Sequence, residues 1–301
     1  MASSATIRYC KSADIDQKKW DACVAGSDYA SIFARSAYLN NMAANWDGLV
    51  QGDYEAVMPL PWRKDSGIYT LYQPAFSWTG GVFGKADLSA FIRAIPSRFR
   101  KADLALNPGN MQANMPSGCS LRQQFVLKLD SPYADLQPSF SASALRNSAR
   151  CGDAGIHFRE NIPIQEIVEW YTSHIALRGG IGEDFSKELT MLTDLKEMDI
   201  LTFGTVAPGG ELLAATIILS AANRMYAVVA LTSPNGKTLG ALHFLIDSLV
   251  KKFSGTGKTL EFGFAGARGT DLVYAGFGAN VVLCPVLRYS NIPWYIRLIS
   301  G

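Results

Sequence analysis

The same succession of elements (hairpin, strand, helix, strand) is written twice along this chain, and that repetition limits the folds open to it. In the first half, GLVQGDYEAVMPLPWRK (48–64) reads as a hairpin turning at Gly52-Asp53, and GIYTLYQP (67–74) as the strand after it. The glycine-rich SWTGGVFG (77–84), a helical run LSAFIRAI (88–95) and a strand ADLALN (102–107) complete the set. In the second half, ILTFGTVAPGGELLAATIIL (200–219) turns at Gly209-Gly210 and leads to the strand RMYAVVAL (224–231). The turn SPNGKTLG (233–240), the helix LGALHFLIDSLVKKF (239–253) and the strand TLEFGF (259–264) follow. Matching landmarks are evenly displaced: Gly52 to Gly210 by 158 residues, Tyr69 to Tyr226 by 157, Leu104 to Leu260 by 156. Duplication accounts for this spacing. Chance recurrence of a common α+β order is the competing account.

Periodicity supports the helices. Leu239, Leu242, Ile246, Leu249, Val250 and Phe253 recur at steps of three and four, the stripe of a helix lying on a sheet. His243 and Asp247, four apart, read as an ordinary pair on that helix. A second helix is expected over 162–178, with Pro163 in its first turn. The Ser-, Ala- and Pro-rich 130–155 reads as a connector that becomes helical around 141–151. A boundary near residue 135 follows, with one domain over 1–135 and another over 136–301.

Composition narrows the function classes. With 48% hydrophobic and 18% charged residues, a sizeable core can form. Net charge is +2 and no block of like charge occurs, which excludes the electrostatic footprint of a dedicated DNA binder. The opening residues have no apolar signal core, and the most apolar run, 212–222, is far short of the ~18 residues that span a bilayer. Five widely spaced cysteines without a Cys-x-x-Cys pair point to reduced thiols and a cytoplasmic setting. With three histidines in all, a His-ligated metal is not expected.

Residues 258–279, KTLEFGFAGARGTDLVYAGFGA, run as strand, Gly/Ala-rich turn and short helix. This unit, with Tyr274-Ala275-Gly276-Phe277-Gly278, resembles the closing unit of the GNAT superfamily of acyl-CoA N-acyltransferases, where Tyr-x-x-x-Gly is common. The Phe277-Gly278-Ala279 ending is similar to the bacterial Fem-type branch, which carries two GNAT-like domains. The resemblance implies an α/β (α+β) fold of two tandem domains, each a mixed twisted β-sheet flanked by helices. It also implies transfer of an acyl group from acyl-CoA to an amine by direct attack, with no permanently bound cofactor and acyl-CoA as co-substrate.

In that superfamily a loop at a helix N-terminus cradles the donor's pyrophosphate on backbone N–H groups. The resembling stretch here is Asn235, Gly236, Lys237, Thr238, Leu239, Gly240 and Ala241. Leucine stands where the superfamily's second small residue belongs, a departure the Fem-type branch, with an aminoacyl-tRNA donor, tolerates. Tyr274 corresponds to a tyrosine that protonates the leaving thiolate; its bland reading is a ring packed under the sheet. Glu261, on an apolar strand, is either a general base raised by burial or the partner of Arg268. In the first half, glycines without a basic residue (77–84) fit a domain that has lost the donor and lines the acceptor. Trp62, Tyr72, Trp78 and Arg268 are then the substrate-binding candidates, against the plainer reading of sheet-packed aromatics. The acceptor is a small-molecule or peptide amine. An aminoacyl-tRNA-dependent peptidyl transferase and a non-catalytic GNAT-like binding protein are the alternatives. The missing heptad arm and the slight charge place tRNA behind CoA.

Overall fold

A computed structural model describes residues 6–174, 183–264 and 270–292. Its elements run β1 (Ile7–Lys11), α1 (Gln17–Ala25), α2 (Ser36–Met42), β2 (Asn45–Gln51), β3 (Ala56–Asp65), β4 (Ile68–Tyr72), β5 (Phe83–Gly84), α3 (Leu88–Ala94), β6 (Phe99–Ala105) and β7 (Cys119–Leu129). There follow α4 (Tyr133–Leu136), α5 (Ala142–Asp153), β8 (His157–Glu160), α6 (Ile164–His174), α7 (Glu183–Met191), β9 (Asp199–Val206), β10 (Leu212–Ala221) and β11 (Arg224–Thr232). The chain closes with α8 (Pro234–Leu239), α9 (Ala241–Phe253), β12 (Lys258–Phe264), α10 (Asp271–Gly276) and β13 (Asn280–Ser290).

Two compact units emerge, one of residues 1–122 with 283–301, the other of residues 123–282. In the first the strand order is β1-β2-β3-β4-β6-β13; in the second it is β8-β9-β10-β11-β12-β7. The orders correspond strand for strand. Each unit has an antiparallel meander, one parallel pair (β4 with β6, β11 with β12), and a final antiparallel strand (β13 on β6, β7 on β12). That last strand is exchanged. β7 follows β6 in sequence yet closes the second unit, while β13 follows β12 yet closes the first. The boundary expected near 135 therefore falls inside the second unit, and 283–301 do not belong with the domain expected over 136–301. The physical reason is pairing: the apolar alternation of β7 (Phe125, Leu127, Leu129 buried) fits it to a sheet without saying which one.

Local chemistry sets the helices. Asp16, Asp87 and Ser141 cap α1, α3 and α5 through side chains that accept first-turn N–H bonds. In the first unit, α3 covers one sheet face over Leu60, Leu71 and Phe99, while α1 and α2 cover the other over Trp46, Val50 and Val57. In the second unit, the apolar run of β10 is buried from Leu212 through Ser220, as befits a central strand covered on both faces. α9 packs along β9 and β10, and α5 packs on α9. Asp247 ties these helices together. It accepts from Tyr133 Oη (2.6 Å) and Ser148 Oγ (2.6 Å) and pairs with Lys251 (2.9 Å). His243 contacts Asn147 instead (3.5 Å). The helix expected over 162–178 is described from Ile164 to His174; residues 175–178 lie outside the described residues. No helix among the described residues is long and apolar enough to cross a membrane.

Candidate functional site

The second unit opens where its parallel strands part. β11 and β12 pair only from Arg224 with Thr259 to Tyr226 with Glu261. β11 then continues to Thr232, held among the described residues by β10 alone, while β12 bulges between Glu261 and Phe264 around Gly263 (φ +82°). The separated stretch of β11 presents backbone donors and acceptors on one side, an edge that an extended amide-bearing chain can join. In the first unit the corresponding pair stays closed, with β4 matched through its last residue, Tyr72, opposite Asp103.

β11 leads into α8 and α9. Ser233 caps α8 by accepting from Gly236 N–H (3.0 Å), and Pro234 sits in the first turn. The stretch expected as a glycine turn is thus largely helix. Gly236 is needed for close packing: a Cβ there would lie 2.3 Å from the Leu213 carbonyl oxygen. Asn235 Nδ2 reaches Glu211 (3.3 Å), and Lys237 and Thr238 are exposed. Gly240 turns the chain in the left-handed region (φ +81°) and starts α9 without any side-chain cap. The first-turn N–H groups of α9, beginning at Ala241, consequently have no intrahelical acceptor, and the helix dipole makes this end attractive to anions. Arg150, from α5, donates to the Thr238 carbonyl (3.1 Å) and stands beside this turn. Its guanidinium and burial together hold His243 below its ordinary pKa, burial being the larger cause. In the first unit the matching helix, α3, is closed by Asp87, whose carboxylate takes the Ser89 and Ala90 N–H groups (3.0 and 3.1 Å). Those N–H bonds hold the Asp87 carboxyl below its ordinary range. The two units therefore differ at this place: a carboxylate caps the anion-attracting end of α3, and among the described residues no side chain caps that of α9.

Tyr274 lies on α10 and Glu261 on β12. Tyr274, 4% exposed, stacks on Phe262 with centroids 4.2 Å apart, and Phe125 flanks it at 6.3 Å. Glu261 is the neighbour of Phe262 and points the other way. Its Oε1 pairs with Arg224 (2.6 Å) and its Oε2 accepts from Gln124 (2.6 Å). Burial pushes its carboxyl up, and Arg224 and Gln124 pull against that. The clamp joins β7, β11 and β12 at the point where pairing ends. Arg268 lies outside the described residues, so the partner seen for Glu261 is Arg224.

The first-half aromatics do not converge on one surface. Trp62 lies on the α3 side of the sheet and donates to Asp47 (2.7 Å); Tyr69 stacks beside it at 5.4 Å. Tyr72 is on the opposite face, under Arg63, and accepts from Ala44 N–H (2.7 Å). Trp78 is buried against Phe33 at 5.8 Å. What sequence reasoning missed around Trp62 is a cation centre. Arg98 lies over the rings of Tyr9, Trp62, Tyr69 and Phe99 and pairs with the buried Asp47 (3.0 Å). Arg150 and Gln124 were also missed, because their partners are far away in sequence. Asp87 had a readable signal, an acidic residue directly before an apolar helical run.

No protein-family model and no curated protein matches this sequence. Solved structures do. The chain is similar to the crystal structure of FemX, with a TM-score of 0.66 at 11% identity over 95% of this chain and 99% of that one. A conserved protein of unknown function from Bacteroides thetaiotaomicron gives a TM-score of 0.60 at 12% identity, over 94% and 99%. L-PGS from Bacillus licheniformis gives 0.54 at 12%, over 94% and 95%. The fold is the α/β fold of the FemX structure, with mixed sheets flanked by helices.

Proposed function

We propose that this protein transfers an acyl group from an activated donor to an amine, using the second unit as the donor site and acyl-CoA as the donor. The observation that carries this reading is the uncapped start of α9 beside the parted strands β11 and β12, against the Asp87-capped start of α3 in the first unit. An anion binds at the first turn of α9, helped by Lys237 and Arg150, and the donor's amide-bearing arm lies along the free edge of β11. In the reaction the amine nitrogen bonds to the acyl carbon and the carbon–sulfur bond breaks. The departing thiolate takes the phenol proton of Tyr274, and the proton released by the amine restores the phenol. Glu261, with both oxygens engaged, serves to hold β12 in place. Trp62, Tyr72 and Trp78 build the first unit, Trp62 beside the Arg98 centre.

An aminoacyl-tRNA donor is the second reading, favoured by the likeness of fold to FemX. It uses the same site. Calorimetric titration with acetyl-CoA, and with pantetheine lacking the phosphates, tests the first reading. In a Lys237→Glu/Arg150→Glu variant, acetyl-CoA should bind at least about tenfold more weakly while pantetheine is unaffected. Equal loss for both, or no binding of acetyl-CoA to the unaltered protein, rejects the acyl-CoA donor. Consumption of aminoacyl-tRNA would then decide for the second reading.

A further inference from the structure

In the first unit β4 and β6 pair as far as Tyr72 opposite Asp103, and residues 73–80 lie between the end of β4 and a single parallel bridge of Gly80 with Leu106. Ala105 shows what this stretch does. Its N–H and C=O face the β4 side of β6, because the N–H of the next residue, Leu106, is bonded on the other edge to the Pro285 carbonyl (2.7 Å). The Ala105 N–H donates to Gln73 Oε1 (3.1 Å), and the Ala105 carbonyl accepts from Gly80 N–H (2.8 Å). Gly80 completes the bridge by accepting from Asn107 N–H (2.9 Å). The edge of β6 is thus met by two amides of the chain itself, the Gln73 carboxamide and the Gly80 peptide.

The segment is pinned at further points. Gln73 Nε2 donates to Ser77 Oγ (2.7 Å), which fixes the orientation of the carboxamide. The fully buried Tyr38 donates its hydroxyl to the Ala75 carbonyl (2.8 Å), and Ser77 N–H returns to the Pro74 carbonyl (3.1 Å). Phe76 has φ +57°, a left-handed conformation that a bulky residue keeps only where its surroundings impose it. In the second unit the chain turns from β11 through Ser233 straight into α8, so no comparable segment follows β11. We propose that residues 73–80 are a strap that fills, in the first unit, the place left open between β11 and β12 in the second, and that Gln73 positions it. An extended amide-bearing chain is thereby kept out of the first unit and finds a free strand edge in the second alone. Exclusion of the donor rests on the function proposed above; closure by Gln73 does not.

The test is backbone amide hydrogen exchange of the full chain, read by NMR, with Ala105 and Leu106 as an internal pair. Gln73→Leu keeps a side chain of similar size and removes both carboxamide bonds. The Ala105 N–H should then exchange at least about tenfold faster, while the Leu106 N–H, on the other edge of the same strand, is unchanged. Ser77→Ala removes only the bond that orients the carboxamide and should speed Ala105 by a smaller factor, about threefold. Gln73→Glu keeps an acceptor and should leave Ala105 protected, since Ser77 can turn its hydroxyl to donate. Equal acceleration at Ala105 and Leu106 would make Gln73 a contributor to general stability, and an unchanged Ala105 would mean that it closes nothing; either result overturns the strap. Pantetheine added to the unaltered protein at about 10 mM should shift amides of β11 and leave those of Gly80 and Ala105 in place. Shifts at Gly80 and Ala105 overturn the exclusion. Pantetheine that shifts neither set rejects the donor reading, and the exchange contrast still decides the strap.

Discussion

The ring of Tyr274 lies flat on that of Phe262, 4.2 Å between centroids and 12° between planes, so the short helix α10 is fastened to one face of β12. Glu261, one residue back along the strand, is committed to the other face by Arg224 and Gln124. Both oxygens of Glu261 are thereby engaged. In the proposed reaction Tyr274 therefore takes the chemical part and Glu261 the positioning part.

Tyr274→Phe should keep the stack and the melting temperature while lowering acyl-transfer kcat by about 10²–10⁴, with little change in KM. Turnover equal to that of the unaltered protein would reduce Tyr274 to packing.

Glu261→Ala should act on stability. Removing the carboxylate takes the Glu261 ion pair from Arg224 and the Glu261 hydrogen bond from Gln124, at a cost of about 3 kcal/mol in urea unfolding. Arg224 is partly exposed, which keeps the figure at the low end of its range. Glu261→Gln keeps the shape and one hydrogen bond, and should cost less. A Glu261→Gln protein that is fully stable but loses the low-pH limb of its rate profile would restore the base.

Gly236→Ala and Gly209→Ala should differ in sign or size. The first forces a methyl against the Leu213 carbonyl oxygen and should cost about 1–3 kcal/mol. The second meets nothing within 4 Å and should be neutral or stabilising by up to about 1 kcal/mol. Thermal melts of the two variants decide whether Gly236 serves packing.

His243 gives a pH prediction. Its folded pKa lies below the ordinary 6.5, by burial first and the Arg150 charge second. The unfolded chain takes up this proton at higher pH than the folded one does. The stability contributed by His243 is then fully present above about pH 6.5 and is lost as the pH falls through its folded value. His243→Gln should flatten that limb of the stability profile. In NMR titrations Arg150→Ala should raise the His243 pKa, and an unchanged value would remove the guanidinium from its surroundings.

Arg98→Ala should cost about 1–2 kcal/mol, since four rings lose their cation and buried Asp47 loses its charged partner. Arg98→Lys keeps the charge without the planar guanidinium and should recover only part of this in the same melts.

Much of the local structure was legible beforehand. The stripe from Leu242 to Phe253 marks α9, Gly52-Asp53 and Gly209-Gly210 mark the hairpins, and the 157-residue displacement marks the repeated strand order, because each depends on neighbours in sequence. The closing unit also named the fold, through residues within about twenty positions of each other. Other facts depend on which distant backbone a strand meets. The exchange of β7 and β13 is one, and the placing of Trp62 and Tyr72 on opposite faces is another: alternation fixes each side chain relative to its own strand and leaves the register to tertiary pairing. The reach of Arg150 to Thr238 and the approach of Gly236 to Leu213 are of the same kind. The sequence alone determined the elements, their repetition and the class of fold. Tertiary structure decided which helix end stays open, because an unfilled turn is recognised only when every neighbour that might fill it is in place.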